Sequence, residues 1–177
     1  MPARKPIVVD TNVLIAANGA DTEWMSIASA CANRLDSVKN GETVCVDSLG
    51  LILKEYGNKL PSRSRHGFGD MFYLWLVRNR TNPAFCQHVE ITQLLPPADG
   101  FAEFPCLSEE LTAKIDRSDR KFIAVSHAHA EKPPIVQATD CKWIGWKQGL
   151  AETGITIEFV DEVFLQPYYD RKMGSVE

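Results

Sequence analysis

Four short apolar runs constrain this chain more than any other feature. They are "PIVV" at 6–9, "ETVCVD" at 42–47, "PPIVQAT" at 133–139 and "ITIEFV" at 155–160. Ile7, Val8 and Val9 are continuous and mostly β-branched, the pattern of a parallel strand buried on both faces. Between the runs lie segments of helical periodicity. Strands alternating with helices build right-handed βαβ units, so the expected class is α/β: a mainly parallel sheet covered by helices on both faces.

With 177 residues the chain is long enough for one core without staples. We read residues 1–177 as a single domain, with a variable insert at about 61–106. A net charge of −4 announces no polyanion partner overall, although nucleic-acid enzymes often concentrate their bases locally. The five cysteines, Cys31, Cys45, Cys86, Cys106 and Cys141, contain no C-x-x-C pair. A disulfide scaffold or zinc ribbon is disfavoured and a reducing cytoplasm is expected. No stretch reaches signal-peptide or membrane-span length, so no membrane association is expected.

A helix is expected after Thr11-Asn12, breaking near Asn18-Gly19, and a second from Asp21-Thr22 to Asn40-Gly41. Asp47 or Ser48 can cap a third, "LGLILKEYGNKL", in which Leu49, Ile52, Leu53, Tyr56 and Leu60 recur at helical spacing before Pro61. "FGDMFYLWLVRNR" reads as helix, "FCQHVEI" as a short strand, and "LLPPADGFAEFPC" as a connection. Helices are expected again at "SEELTAKI", "DRKFIAVSHAHA" and "CKWIGWKQGLAETG", the last closed at Gly154.

Open α/β sheets bind ligands beyond the carboxyl ends of their strands. Asp10 ends the first strand and Asp140 follows "IVQAT"; as neighbours in a parallel sheet they emerge at one edge. Asp119 opens a helix and Glu55 lies within one. Singly, each acid has an ordinary explanation. Asp10 and Asp140 suit helix caps, Asp119 suits a helix macrodipole, and Glu55 can pair with Lys59 at i,i+4. Jointly they suggest a cation site, because clustered carboxylates repel and protonate unless neutralised. Hard oxygen ligands favour Mg²⁺ or Mn²⁺, and two such ions roughly 4 Å apart can promote phosphodiester hydrolysis.

"IVVDTNVLI" resembles the opening of PIN-domain nucleases, in which a strand leads into an Asp-Thr-Asn type motif. "LILKEYGNKL", "DRKFIAVSHA" and "IVQATDCKW" resemble the later acidic motifs of that family, at Glu55, Asp119 and Asp140. Asp116 competes with Asp119, which stands three residues before Phe122 as in the family's helix. The resemblance implies a Rossmann-like α/β/α domain and a metal-dependent endoribonuclease acting on RNA, with one or two Mg²⁺ or Mn²⁺ ions. Asp10, Asp119 and Asp140 would be ligands and Glu55 would complete the acidic cluster. Asn12 or Thr139 would orient Asp10, water or phosphate. A toxin paired with an antitoxin or other regulatory protein, or a defence nuclease, often homodimeric, is the implied role.

Arg63, Arg65, His66, Arg78 and Arg80 flank an aromatic run and offer a phosphate-gripping rim; core aromatics with solvated arginines are the plainer reading. His127 and His129, two residues apart, point to different helix faces and are expected at the surface. Trp143 and Trp146 are expected as core or interface anchors. Two alternatives to a nuclease stand. One is a catalytically silent RNA- or protein-binding module. The other is a HAD-like phosphatase, which requires an acid where this chain has Asn12.

Overall fold

The computed structural model describes residues 4–19, 22–60, 67–96 and 100–173. Five strands, β1 (Lys5–Val9), β2 (Glu42–Asp47), β3 (Cys86–Val89), β4 (Ile135–Gln137) and β5 (Ile157–Phe159), form one sheet in the order β3-β2-β1-β4-β5. All pairings are parallel, with Ile7 opposite Val44, Val9 opposite Val136, and Ile135 opposite Ile157. Ile7 to Val9 and Thr43 to Asp47 are buried at every successive position. Side chains alternate faces along a strand, so unbroken burial means both faces are covered. The fold is a Rossmann-like α/β/α arrangement, as expected from the strand pattern.

The first connection carries α1 (Thr11–Ala17), a short 3₁₀ turn (Thr22–Trp24) and α2 (Met25–Gly41). The second carries α3 (Leu51–Lys59) and α4 (Phe68–Asn79). After β3 come α5 (Glu109–Lys114) and α6 (Arg120–Ala128), which return the chain across the sheet to β4; α7 (Lys142–Glu152) then joins β4 to β5. α1, α2 and α4 pack on one another, whereas α6 packs over β1, β2 and β4. The strand order reverses between β1 and β4, and right-handed crossovers then send the two sets of helices to opposite faces.

Local chemistry explains several boundaries. Asp47 accepts from the backbone N–H groups of Leu51 and Ile52, both at 2.7 Å, and so caps α3 from a distance. Gly50 between them stands at φ +77°, a conformation only glycine adopts freely. α3 therefore starts at Leu51, and Leu49, expected on its apolar face, lies before it and 51% exposed. Residues 61–106 contain both α4 and β3, and Phe72, Leu76 and Cys86 from them belong to the core. Trp143 and Trp146 are core residues, as expected. The histidine expectation fails. His129 is buried and meets Gln87 Oε1 at 3.2 Å, and His127 is half-buried against the Glu103 carbonyl at 2.9 Å. α6 packs both sides of its last turn. A final helix, α8 (Glu162–Met173), lies beyond the last element expected from the sequence and carries Pro167 within it. Among the described residues no helix is long and apolar enough to cross a membrane.

Candidate functional site

β1 and β4 are parallel neighbours, so the acids that follow them emerge together at the carboxyl edge of the sheet. Asp10 is a helix cap, as one reading of the sequence allowed. Its Oδ1 accepts the Asn12 N–H at 2.9 Å, capping α1, while the side chain sits only 5% exposed. Burial pushes the carboxyl up to about 8, helped by the nearby charges of Asp119 and Glu55 and opposed by the Asn12 N–H. At pH 7 the Asp10 carboxyl is therefore protonated in most molecules.

Asn12 fastens this corner. Its Nδ2 donates to Gln137 Oε1 at 2.6 Å and its Oδ1 accepts from the Ala138 N–H at 3.0 Å, so one amide ties the end of β1 to the end of β4. These bonds go to Gln137 and Ala138; Thr139 is a half-buried neighbour on the turn. Gln137 is fully buried, and its side-chain amide faces the Asp10 carboxyl, where it favours the charged form.

Asp119 occupies the N-cap position of α6 but its side chain makes no cap hydrogen bond. Its place at the helix start is the one the macrodipole reading expected, and its Oδ1 accepts from the Ser118 hydroxyl at 3.4 Å. It lies with Asp116 and Asp140, each offering an oxygen within 4.8 Å of the others. Burial, then Asp140 and Asp116, raise Asp119 to about 7, against the pull of Lys121 and Lys142. Asp140 also accepts the Lys142 N–H at 3.0 Å, so its expected capping role at α7 is real. The Lys142 ammonium pairs with Asp116 and stands 4.0 Å from Asp140.

Glu55 lies close enough to raise Asp10 but does not make the pair with Lys59 that the sequence allowed. Its Oε1 accepts the Thr11 hydroxyl at 2.6 Å and its Oε2 the Lys121 ammonium at 2.5 Å, in place of Lys59 one turn along α3. Lys121 also donates to the Ser118 carbonyl and is 6% exposed. Tyr56, next along α3, donates its hydroxyl to the Val9 carbonyl immediately before Asp10. α3 is thereby bonded to the β1 end from two successive residues.

Of the expected acids, Asp119 and Asp140 are brought together with Asp116, and Asp10 sits close enough to feel the charge of Asp119. Glu55 lies outside that trio, paired to Lys121. Arg63, Arg65 and His66 lie outside the described residues, while Arg78 and Arg80 are exposed at the end of α4. Lys121 and Gln137 had no signal of their own in the sequence; only the packing of α6 and β4 shows them. An all-carboxylate trio at this spacing suits a hard divalent cation, and burial, with the neighbouring carboxylates, raises both Asp10 and Asp119. No protein-family model, curated protein or solved structure matches this chain.

Proposed function

We propose that this protein is a divalent-metal-dependent endoribonuclease of the PIN-like kind. One observation carries the reading: Asp119, at the head of α6, meets Asp116 and Asp140 beside a buried Asp10, at the point where the strand order reverses. Ligands of open α/β sheets gather at that point. A bound Mg²⁺ or Mn²⁺ would supply charge neutralisation and polarise a phosphoryl oxygen. Asp119 and Asp140, with Asp116, would hold it. Asp10 would complete the cluster once ionised, and Asn12 keeps the ends of β1 and β4 in register. Lys121 holds Glu55, which in turn fixes the Thr11 hydroxyl beside Asp10.

The role in the cell is proposed from the sequence resemblance: a toxin restrained by an antitoxin, or a defence nuclease, acting in the cytoplasm as a monomer or homodimer. All five cysteines stand as free thiols, in keeping with a reducing compartment.

A second reading, a silent RNA- or protein-binding module, draws on Lys142, whose ammonium already rests on the acid trio. The test is cleavage of a mixed-sequence RNA by purified protein with Mg²⁺ or Mn²⁺. Activity in the wild type, absent from folded Asp10→Asn and Asp119→Asn variants, supports the nuclease. No cleavage of RNA or DNA with either metal rejects it.

A further inference from the structure

Beside the acid-rich corner lies an open groove of about 330 Å³ between α3 and α6. Leu51, Lys54, Glu55 and Asn58 line it from α3, joined by Lys59 and by Lys121 from α6. Residues 51, 54, 55 and 58 follow helical spacing, so α3 turns one continuous face into the groove. The groove's lining is basic, with Lys54, Lys59 and Lys121 against Glu55, in a chain whose net charge is −4. Its single acid, Glu55, is occupied by Thr11 and Lys121, which leaves Lys54 and Lys59 exposed and Asn58 exposed between them. The groove's floor is the Lys121–Glu55 pair, and Thr11 links that pair to the corner where Asp10 is buried.

We propose that this groove binds the sugar–phosphate backbone of a single-stranded nucleic acid, with Lys54 and Lys59 on successive phosphates and Asn58 between them. The proposal rests on the nuclease reading above only for its purpose; the groove binds its ligand without metal. Lysines contact phosphates without reading sequence, so the grip positions a strand and leaves base choice to other surfaces. Asp10 is recessed at 5% exposure, and a flexible single strand can bend a phosphate toward it where a rigid duplex cannot. The ends of β1 and α3 are bonded through Tyr56 and Thr11, so a backbone held on α3 is held in fixed relation to the acids.

The test measures binding of a short fluorescein-labelled single-stranded RNA of mixed sequence, in EDTA, by anisotropy at several salt concentrations. A DNA strand of the same sequence, a duplex and inorganic phosphate are the comparison arms. The Lys54→Gln/Lys59→Gln double variant changes only exposed side chains, and an unchanged melting temperature verifies its fold. Expected are a tenfold or greater loss of affinity and a salt slope shallower by about 1.4, the value for two phosphate contacts on a single strand. Asp119→Asn should bind as tightly as the wild type or more so. Relative affinity for the RNA and DNA strands identifies the source of the backbone. Unchanged binding in the double variant, preference for the duplex, or displacement by inorganic phosphate at comparable concentration overturns the proposal. Loss of binding in the double variant, in a protein that cleaves nothing, keeps the groove and removes the nuclease.

Discussion

Lys121 and Glu55 form an ion pair of 2.5 Å in which the lysine side chain is 8% and the glutamate side chain 22% exposed. It joins α6 to α3 directly beside the end of β1. A pair withdrawn this far loses more when one partner is removed than when both are, because the survivor is left as an uncompensated charge. We expect Glu55→Ala or Lys121→Met alone to destabilise the fold by about 3 kcal/mol. The double variant should fall well short of the sum. Urea unfolding of all four proteins measures the coupling, and simple additivity would refute a buried pair.

Asp10 and Asp119 titrate higher in the folded chain, near 8 and 7, than the ordinary aspartate value of 3.8. The folded state therefore holds more protons than the unfolded one between about pH 4 and 8. The stabilising contribution is complete below the ordinary value and is lost as pH rises through 7 and then 8. Metal-free wild type should melt at a lower temperature at pH 9 than at pH 6. Asp10→Asn, neutral throughout, should lose less over that interval; one kcal/mol of difference corresponds to roughly 2–4 °C in a domain of this size. Parallel melting curves for the two proteins across pH would show that Asp10 is not protonated in the fold.

Metal should act in the opposite sense to protonation. Mn²⁺ or Mg²⁺ binding only the folded state stabilises by about 2.7 kcal/mol at one hundred times the dissociation constant. The wild-type melting temperature at pH 8 should rise with either ion and fall back with EDTA. Asp119→Asn should show little of that rise. A wild type indifferent to both ions would remove the cation site.

Gly69 marks the closest approach of α4 to α1. A Cβ there would stand 1.9 Å from the Leu14 carbonyl oxygen, so the two helices must part to admit one. Gly69→Ala should destabilise by about 2 kcal/mol or more through this overpacking. Gly41, at the end of α2, meets nothing within 4 Å of the same position. Its alanine variant should be neutral or slightly stabilising. Equal effects at both sites, measured by chemical denaturation, would argue against the tight α1–α4 contact.

Much of the fold is written in local pattern. The runs at Ile7, Val44 and Ile135 are continuously buried, as their composition indicates, and parallel order follows from the helices between the strands. "FCQHVEI", short and with polar residues at its centre, still supplies β3, because an edge strand needs only one neighbour. α8 was not among the expected helices; Pro167 within it disfavours a helix locally, and packing of Leu165 and Phe164 on the core outweighs that preference.

The sequence by itself determined which acids stand at strand ends and helix starts, since those positions follow from apolar runs and the residues that end them. Only the tertiary structure decided what each carboxylate does. Glu55 and Lys59 are neighbours along α3, yet Glu55 pairs with Lys121, brought from sixty-six residues away by the packing of α6. Asp119 heads α6 without capping it and meets Asp116 and Asp140, while Asp10 caps α1 and is buried besides. Charge interactions depend on distance through space and on exclusion of water, and both are set by how helices pack across the sheet.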